Sequence, residues 1–348
     1  MKKIISLTFG NPKTQGGIES FNRILKEFYP NLIMITQTIK YVKIYDVPDV
    51  IEIGSRNLIF RIINKIFFNK IREYLIVNEI KKNKGEVLIL SHPNEVEIVK
   101  KYKGKKILVQ HLSYDYYLKI YCGNNIELKN KIRNFISYFV VLSPYDAIKF
   151  RKGFNLLEKQ VKVIRHTCNM EIIQNKKEKN KKLIMIARID NQQKRFDLAI
   201  RAMKKLKDFT LDIYGDIYNQ EDMEFLQKVI EKENITNVNF KGPTNKVKEK
   251  LDDSGIFIMT SDFEGYPIAL IEAMRRGLPI VLRNTFDSAQ DIVINNGVLL
   301  EKEWNENKFV EGVKEIYKNY EYYSENSKKL GERHNPEVIK KEWDELLK

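Results

Sequence analysis

The sequence predicts an α/β chain of two doubly wound units, and three observations carry that expectation. Short apolar runs alternate with amphipathic segments along the whole length, the pattern of strand–helix–strand units and parallel sheets. The alternation comes as two series, separated by a polar, lysine-rich stretch over residues 171–182. A length of 348 residues suits about two domains of ordinary size.

In the first series, residues 3–7, 31–36, 87–90, 106–109 and 138–142 read as strands, with a helical pattern over 18–29 between the first two. In the second, the strands are 183–187, 211–214, 238–240, 256–259 and 278–282, separated by helices such as 196–207 and 221–232. The expected domains are therefore 1–170 and 171–334, with 171–182 as linker and entry to the second. A last amphipathic helix covers 335–348. No repeat of 20–50 residues and no low-complexity tail is present. Doubly wound sheets bind ligands outside the carboxyl ends of their strands, so those loops are where chemistry belongs.

Composition narrows the class. Hydrophobic residues are 43% of the chain and charged residues 31%, enough for a sizeable core and a soluble surface. Two cysteines, Cys122 and Cys168, do not make a disulfide framework at this size, which favours a reducing, cytoplasmic setting. The first ten residues superficially resemble a signal peptide, but the apolar run is short and Gly10, Asn11 and Pro12 end it; a buried first strand fits better. No stretch approaches the roughly 18 apolar residues of a membrane span.

The net charge of +15 is unevenly placed. Residues 1–170 hold 30 Lys and Arg against 14 Asp and Glu, a net of +16, while 171–348 hold 31 against 32, a net of −1. One half is thus expected to face something anionic, a nucleic acid or a membrane surface; a lysine-rich background on solvated faces is the plainer alternative. Residues 57–72 form a basic amphipathic stretch with Arg61, Lys65 and Arg72 near one helical face, which reads as membrane-surface binding or as a core helix with a solvated stripe. No known nucleic-acid motif accompanies the charge.

Three stretches carry candidate chemistry. Residues 14–19, TQGGIE, follow the first strand and open a helix. There Gly16 and Gly17 allow close approach of backbone to a ligand, and the helix N-terminus offers N–H groups to a phosphate; a tight turn explains the pair equally. Arg188 falls at the carboxyl end of a predicted strand and Lys194 in the following loop, where a guanidinium fork and an ammonium suit a pyrophosphate; the alternative is two solvated cations. In FEGYPIALIEAMRRGLPIV (263–281), Pro267 suits a helix start and Gly277 its end. Glu264 then lies in the loop and Glu272 in the helix, where Arg275 and Arg276 at i+3 and i+4 offer Glu272 an ordinary surface salt bridge.

Together these stretches, with IYGD (213–216) and NNGVLLE (295–301), resemble the GT4-type retaining glycosyltransferases of the GT-B fold, densely over 183–300 and sparsely over 20–165. The resemblance implies two Rossmann-like domains facing across a cleft, with the C-terminal helix crossing back to the first. It implies that Glu272 holds the ribose of a nucleotide-sugar, that Glu264 contacts the transferred sugar, and that the donor-binding stretch Gly265, Tyr266, Pro267 and Ile268 helps hold that sugar through the backbone N–H groups around it. Arg188 and Lys194 would stabilise the departing diphosphate, and Gly17 would approach it from the other domain. His111, at the end of a predicted strand, is similar to the family's N-domain histidine near the donor sugar. Members of this type are metal-independent, so no cofactor and no metal is expected. Two stretches depart from the pattern: residues 283–288, RNTFDS, replace a glycine-rich turn, and 163–170, VIRHTCNM, replace a Pro-Asn-Gly.

The implied activity is retaining transfer of a sugar, from a UDP-sugar first of all, to a saccharide or lipid-linked saccharide in surface polysaccharide or glycolipid synthesis. The basic N-terminal domain would dock on the anionic inner face of the cell membrane, and no nucleic acid is expected. A sugar-nucleotide 2-epimerase or a non-catalytic GT-B subunit are the alternatives.

Overall fold

A computed structural model of the chain, which describes residues 2–14, 16–37, 43–53, 65, 70–123 and 125–348, places its strands in two parallel sheets. The first contains β1 (Ile4–Thr8), β2 (Ile33–Thr36), β3 (Val50–Glu52), β4 (Val87–Leu90), β5 (Lys105–Val109), β6 (Tyr138–Val141) and β7 (Val161–Val163), in the order β3-β2-β1-β4-β5-β6-β7. The second contains β8 (Lys182–Ile186), β9 (Thr210–Tyr214), β10 (Val238–Gly242), β11 (Ile256–Met259), β12 (Ile280–Arg283) and β13 (Gly297–Leu300), ordered β10-β9-β8-β11-β12-β13. Both are doubly wound and Rossmann-like, the α/β class expected. The strand order reverses between β1 and β4 in one and between β8 and β11 in the other, and those reversals are where ligands bind in such sheets.

The units are Met1–His166 with Lys340–Lys348, and Thr167–Ile339; the part of the helix Pro336–Leu347 from Lys340 onward belongs to the first unit. Each has its own core. Ile5, Leu7, Leu88, Leu90, Leu108, Phe139 and Val141 are buried in the first, and Leu183, Phe196, Ile213, Ile256, Ile258 and Phe309 in the second. Burying one such side chain contributes about 1.5–3 kcal/mol, which is why the interior strands are apolar runs on both faces.

Two sequence readings are corrected. Residues 171–181 belong to the second unit and do not link units. Lys177 is buried and donates from Nζ to the carbonyls of Leu251, at 2.7 Å, and Asp252. Ile173 N–H donates to Arg275 O at 2.9 Å. Lysine composition marked this stretch as solvated, but an ammonium that finds carbonyl acceptors can be buried. Arg275 and Arg276 are also buried, against the expectation of a solvent face. Arg275 donates to Met170 O and Gly331 O, and Arg276 forks onto Asp252 at 2.6 and 2.9 Å.

Of the basic stretch 57–72, only residues 65 and 70–72 lie among the described residues, so the membrane-binding reading of that helix falls largely outside them. No helix among the described residues is long and apolar enough to cross a membrane.

Candidate active site

The second unit gathers four of the predicted side chains at the β8/β11 reversal. Arg188 comes two residues after β8, and half of its side chain is exposed. Asp190 caps the short helix Asn191–Lys194, its Oδ1 accepting Gln193 N–H at 3.2 Å, while its Oδ2 accepts Arg188 Nη2 at 3.1 Å. Gln193 Oε1 takes a second bond from Arg188 at 3.0 Å, so the guanidinium is held from two sides. The Tyr218 ring lies 4.5 Å beneath it, a cation–π contact. Glycine at 215 is required by packing, because a Cβ there would lie 1.8 Å from Ala187 O, just before Arg188.

Lys194 Nζ lies 2.6 Å from Glu264 Oε1, and the two side chains are only 14% and 11% exposed. An ion pair shielded to that degree is screened little by solvent, and removing one partner strands the other. The surrounding loop is fixed by long-range bonds. Gln193 Nε2 donates to Phe263 O at 3.0 Å, Asp262 N–H donates to Gln193 O at 2.8 Å, and Thr260 Oγ1 sits 3.0 and 2.9 Å from the carbonyls of Lys194 and Arg195. Arg195 turns the chain in left-handed conformation (φ 52°) and reaches Asp262 at 3.2 Å.

Glu272 sits one turn into the helix Ile268–Arg275, whose N-cap is Pro267 and whose end is followed by Gly277 at φ 70°. The surface salt bridge that spacing offered is absent: both arginines are engaged elsewhere, and Glu272 has no side-chain partner among the described residues. Its carboxyl remains partly accessible, yet burial pushes it up to about 7. An acid left unpaired and crowded at a sheet reversal is a candidate ligand contact. The first-turn N–H groups of Ile268 and Ala269 have no intrahelical acceptor, as at any helix start.

The stretch that departs from the glycine-rich pattern braces this loop, and sequence reasoning missed its residues. Arg283 Nη1 donates to Thr260 O at 2.8 Å and Asp262 Oδ1 at 2.7 Å, and Thr285 Oγ1 donates to Ser261 O at 2.6 Å. Ser288 Oγ donates to Gly265 O. Tyr266, buried, donates to Asp291 Oδ2 at 3.0 Å and meets His334 Nε2 at 3.1 Å, while Arg333 holds Asp291 at 2.7 Å. Side-chain ties thus replace turn geometry, a signal visible in sequence only as polar residues where glycines were expected.

The remaining predicted residues lie in the first unit. Gly16 caps the helix Gly17–Phe28, and Gly17 is exposed with nothing within 4 Å of where a Cβ would stand. Arg23 holds the preceding loop through the carbonyls of Pro12 and Thr14, at 2.8 and 2.6 Å. His111 stacks on His166 at 5.6 Å and meets Phe21 edge-on at 5.0 Å. Neither of its ring nitrogens has a hydrogen-bond partner among the described residues, and burial, then His166, holds its pKa well below the ordinary histidine value. Among the described residues no three His, Cys, Asp or Glu side chains gather as a metal site would need.

The part of the chain that holds this geometry resembles known proteins. Residues 169–334 match the family described as glycosyl transferases group 1. Over 149 residues the chain is 34% identical to an uncharacterized glycosyltransferase of Haemophilus influenzae, covering 41% of each. Over 178 residues it is 26% identical to the amylovoran biosynthesis glycosyltransferase AmsD of Erwinia amylovora, covering 49% of this chain and 48% of that one. The chain spans less than half the length of these two curated relatives. In fold it is similar to Alr3699/HepE of Anabaena, solved in complex with UDP, with a TM-score of 0.80, 13% identity and 99% of both chains covered. At that identity the likeness is one of fold: two Rossmann-like parallel sheets, as in GT-B structures.

Proposed function

We infer that the chain is a retaining, metal-independent glycosyltransferase that moves a sugar from a UDP-sugar to a saccharide or lipid-linked saccharide acceptor in surface polysaccharide or glycolipid synthesis. The observation that carries this reading is the β8/β11 cluster: a doubly held Arg188, the Lys194–Glu264 pair at 2.6 Å, and an unpaired Glu272 eight residues after Glu264. The match of residues 169–334 to glycosyl transferases group 1 and the UDP bound by Alr3699/HepE support it.

In this reading the bond from the anomeric carbon to the diphosphate oxygen breaks as negative charge builds on the leaving diphosphate. The acceptor hydroxyl attacks from the same face, forming the new glycosidic bond and passing its proton to the departing diphosphate oxygen. Arg188 presents its fork to that charge from a fixed position. Lys194 has three N–H donors and spends one on Glu264, leaving two to meet phosphate oxygens. Fixed cations aimed at developing charge are the largest electrostatic contribution available to such a site. Glu264, held by Lys194, orients hydroxyls of the transferred sugar, and Glu272 as a carboxylate accepts from the two ribose hydroxyls. Gly17 and His111 take the diphosphate and transferred-sugar roles within the same proposal, and the basic first unit is assigned to an anionic membrane surface at the cytoplasmic face.

The test is UDP release from a panel of UDP-sugars with and without saccharide acceptors, followed by proton NMR of the product's anomeric signal. Acceptor-stimulated release with retained configuration and no loss in EDTA is expected. Inverted product, or release that no acceptor stimulates, would overturn the reading. Vesicle sedimentation addresses the membrane part: equal pelleting with neutral and anionic vesicles removes it.

A further inference from the structure

The first unit has a pocket of about 310 Å³, near the lower end of the roughly 300–1,000 Å³ range of small-molecule sites. It lies at the carboxyl ends of β1, β2 and β4, the sheet's own reversal point: Phe9 follows β1, Gln37 follows β2, and His92 comes two residues after β4. Arg72, Asn94 and Glu95 complete the part that matters here.

Its walls combine an aromatic face with planar polar groups. The Phe9 ring is 59% exposed and stacks on His92 at 5.4 Å, and His92 meets Tyr121 edge-on at 4.5 Å. His92 Nδ1 accepts Asn94 N–H at 3.2 Å, which leaves the proton of a neutral ring on Nε2, and burial lowers its pKa and keeps it neutral. Glu95 is only 2% exposed. Its Oε2 accepts the N–H groups of Ser91 and His92 at 2.9 and 3.0 Å, while Oε1 has no hydrogen-bond partner among the described residues. Burial pushes this carboxyl up to about 8 against the pull of the two amides. The proton therefore sits on Oε1, because Oε2 already faces two donors, and Glu95 is an O–H donor lacking an acceptor. A buried polar group left so is unfavourable, and a ligand oxygen would satisfy it. The hydroxyl of neighbouring Tyr117 and Ser91 Oγ are likewise without partners among the described residues.

We propose that this pocket is a saccharide subsite for one neutral pyranose ring, with the Phe9–His92 stack against the ring's apolar face and Glu95 Oε1 donating to one of its oxygens. Under the glycosyl-transfer reading, on which this last step rests, the occupant is a sugar of the acceptor. Gln37, Asn94 and Arg72 also line the pocket, and a ring with C–H groups on one face and hydroxyls at its rim complements that lining.

Saturation-transfer NMR on the full chain tests it, with methyl α-D-glucopyranoside, galactopyranoside and mannopyranoside as probes and UDP binding measured in the same samples. At least one glycoside is expected to bind, without competition from UDP. Its signal should fall about tenfold in Phe9→Ala and Glu95→Ala and persist in Glu95→Gln, whose amide nitrogen donates where the acid did. Phe9 is exposed, so its removal leaves the core intact, and a thermal melt of each variant checks folding. Binding by none of the three glycosides, a signal indifferent to Phe9→Ala and Glu95→Ala, or equal loss in Glu95→Gln and Glu95→Ala would overturn the proposal. Glycoside binding with no UDP binding would sink the transfer reading and leave the subsite standing.

Discussion

The two sheets share one strand order but treat polar groups at their reversal points in opposite ways. At β8/β11, Arg188, Lys194, Arg195 and Arg283 each meet a carboxylate: Asp190, Glu264, and Asp262 for the last two. At the carboxyl ends of β4 and β5, Ser91 Oγ, Glu95 Oε1, Gln110 Nε2 and both nitrogens of His111 have no partner among the described residues. The charge totals run the same way, +16 for residues 1–170 and −1 for 171–348. The second site is a finished electrostatic frame whose cations are held in place before any ligand arrives. The first is a set of desolvated donors and acceptors that a ligand would complete.

The largest effect that sharpens this contrast belongs to Lys194. Lys194→Ala removes a fixed cation and strands Glu264, so turnover should drop about 10²–10³-fold while the KM for the nucleotide-sugar moves little. A variant with near-normal turnover would mean the pair is structural only. Next comes Glu95, where the sign is set by a raised carboxyl. The folded protein holds the proton up to about pH 8, while the unfolded chain loses it near 4.5, so stability contributed by this group falls as pH rises between those values. Glu95→Gln should therefore stabilise the chain at pH 8 by on the order of 3 kcal/mol and scarcely at pH 4.5, read by urea unfolding. A constant difference across pH would show that Glu95 is not held neutral.

Glu272 offers a smaller version of the same physics with a functional readout. Its carboxyl is raised to about 7 by burial, and the proposed ribose contact needs the ionised form. UDP affinity should then tighten about tenfold from pH 6 to pH 8, as the ionised fraction grows about tenfold, and Glu272→Gln should bind weakly with a flat profile. A profile unchanged by the substitution would remove Glu272 from the ribose.

Much of the frame was legible in the sequence, and its gaps have a common cause. Interior strands such as β4 and β11 bury every residue, and β5 all but Lys105, so they stand out as apolar runs. The strands missed, β3, β7 and β13, are all sheet edges, and most of their residues are only half buried or exposed, so nothing in VIE, VKV or GVLL separates them from loop. Arg188, Lys194, Glu264 and Glu272 were singled out as candidates by spacing and resemblance. Their supports were not, because Gln193 to Phe263 and Arg283 to Thr260 are contacts across tens of residues that leave no local pattern. Glu95 was passed over for a different reason: its partners are local, but a Glu after SHPN reads as a first-turn acid until the amides of Ser91 and His92 are seen to take one oxygen and leave the other.

The smallest expected effect tests whether the second site owes its finish to one bond or to several. Tyr266→Phe keeps the buried ring and deletes a hydroxyl bonded to Asp291 at 3.0 Å and His334 at 3.1 Å. Asp291 retains Arg333 at 2.7 Å, so no carboxylate is stranded, and the cost in stability should be about 1 kcal/mol. The loop keeps its other ties, Ser288 to Gly265 O and Thr285 to Ser261 O, and turnover should change less than about threefold. If the ties share the work of holding one loop, Tyr266→Phe combined with Ser288→Ala should raise the nucleotide-sugar KM by more than the product of the single effects. Strictly multiplicative effects would mean that each bond holds its own segment and that the loop is rigid for reasons of backbone packing alone.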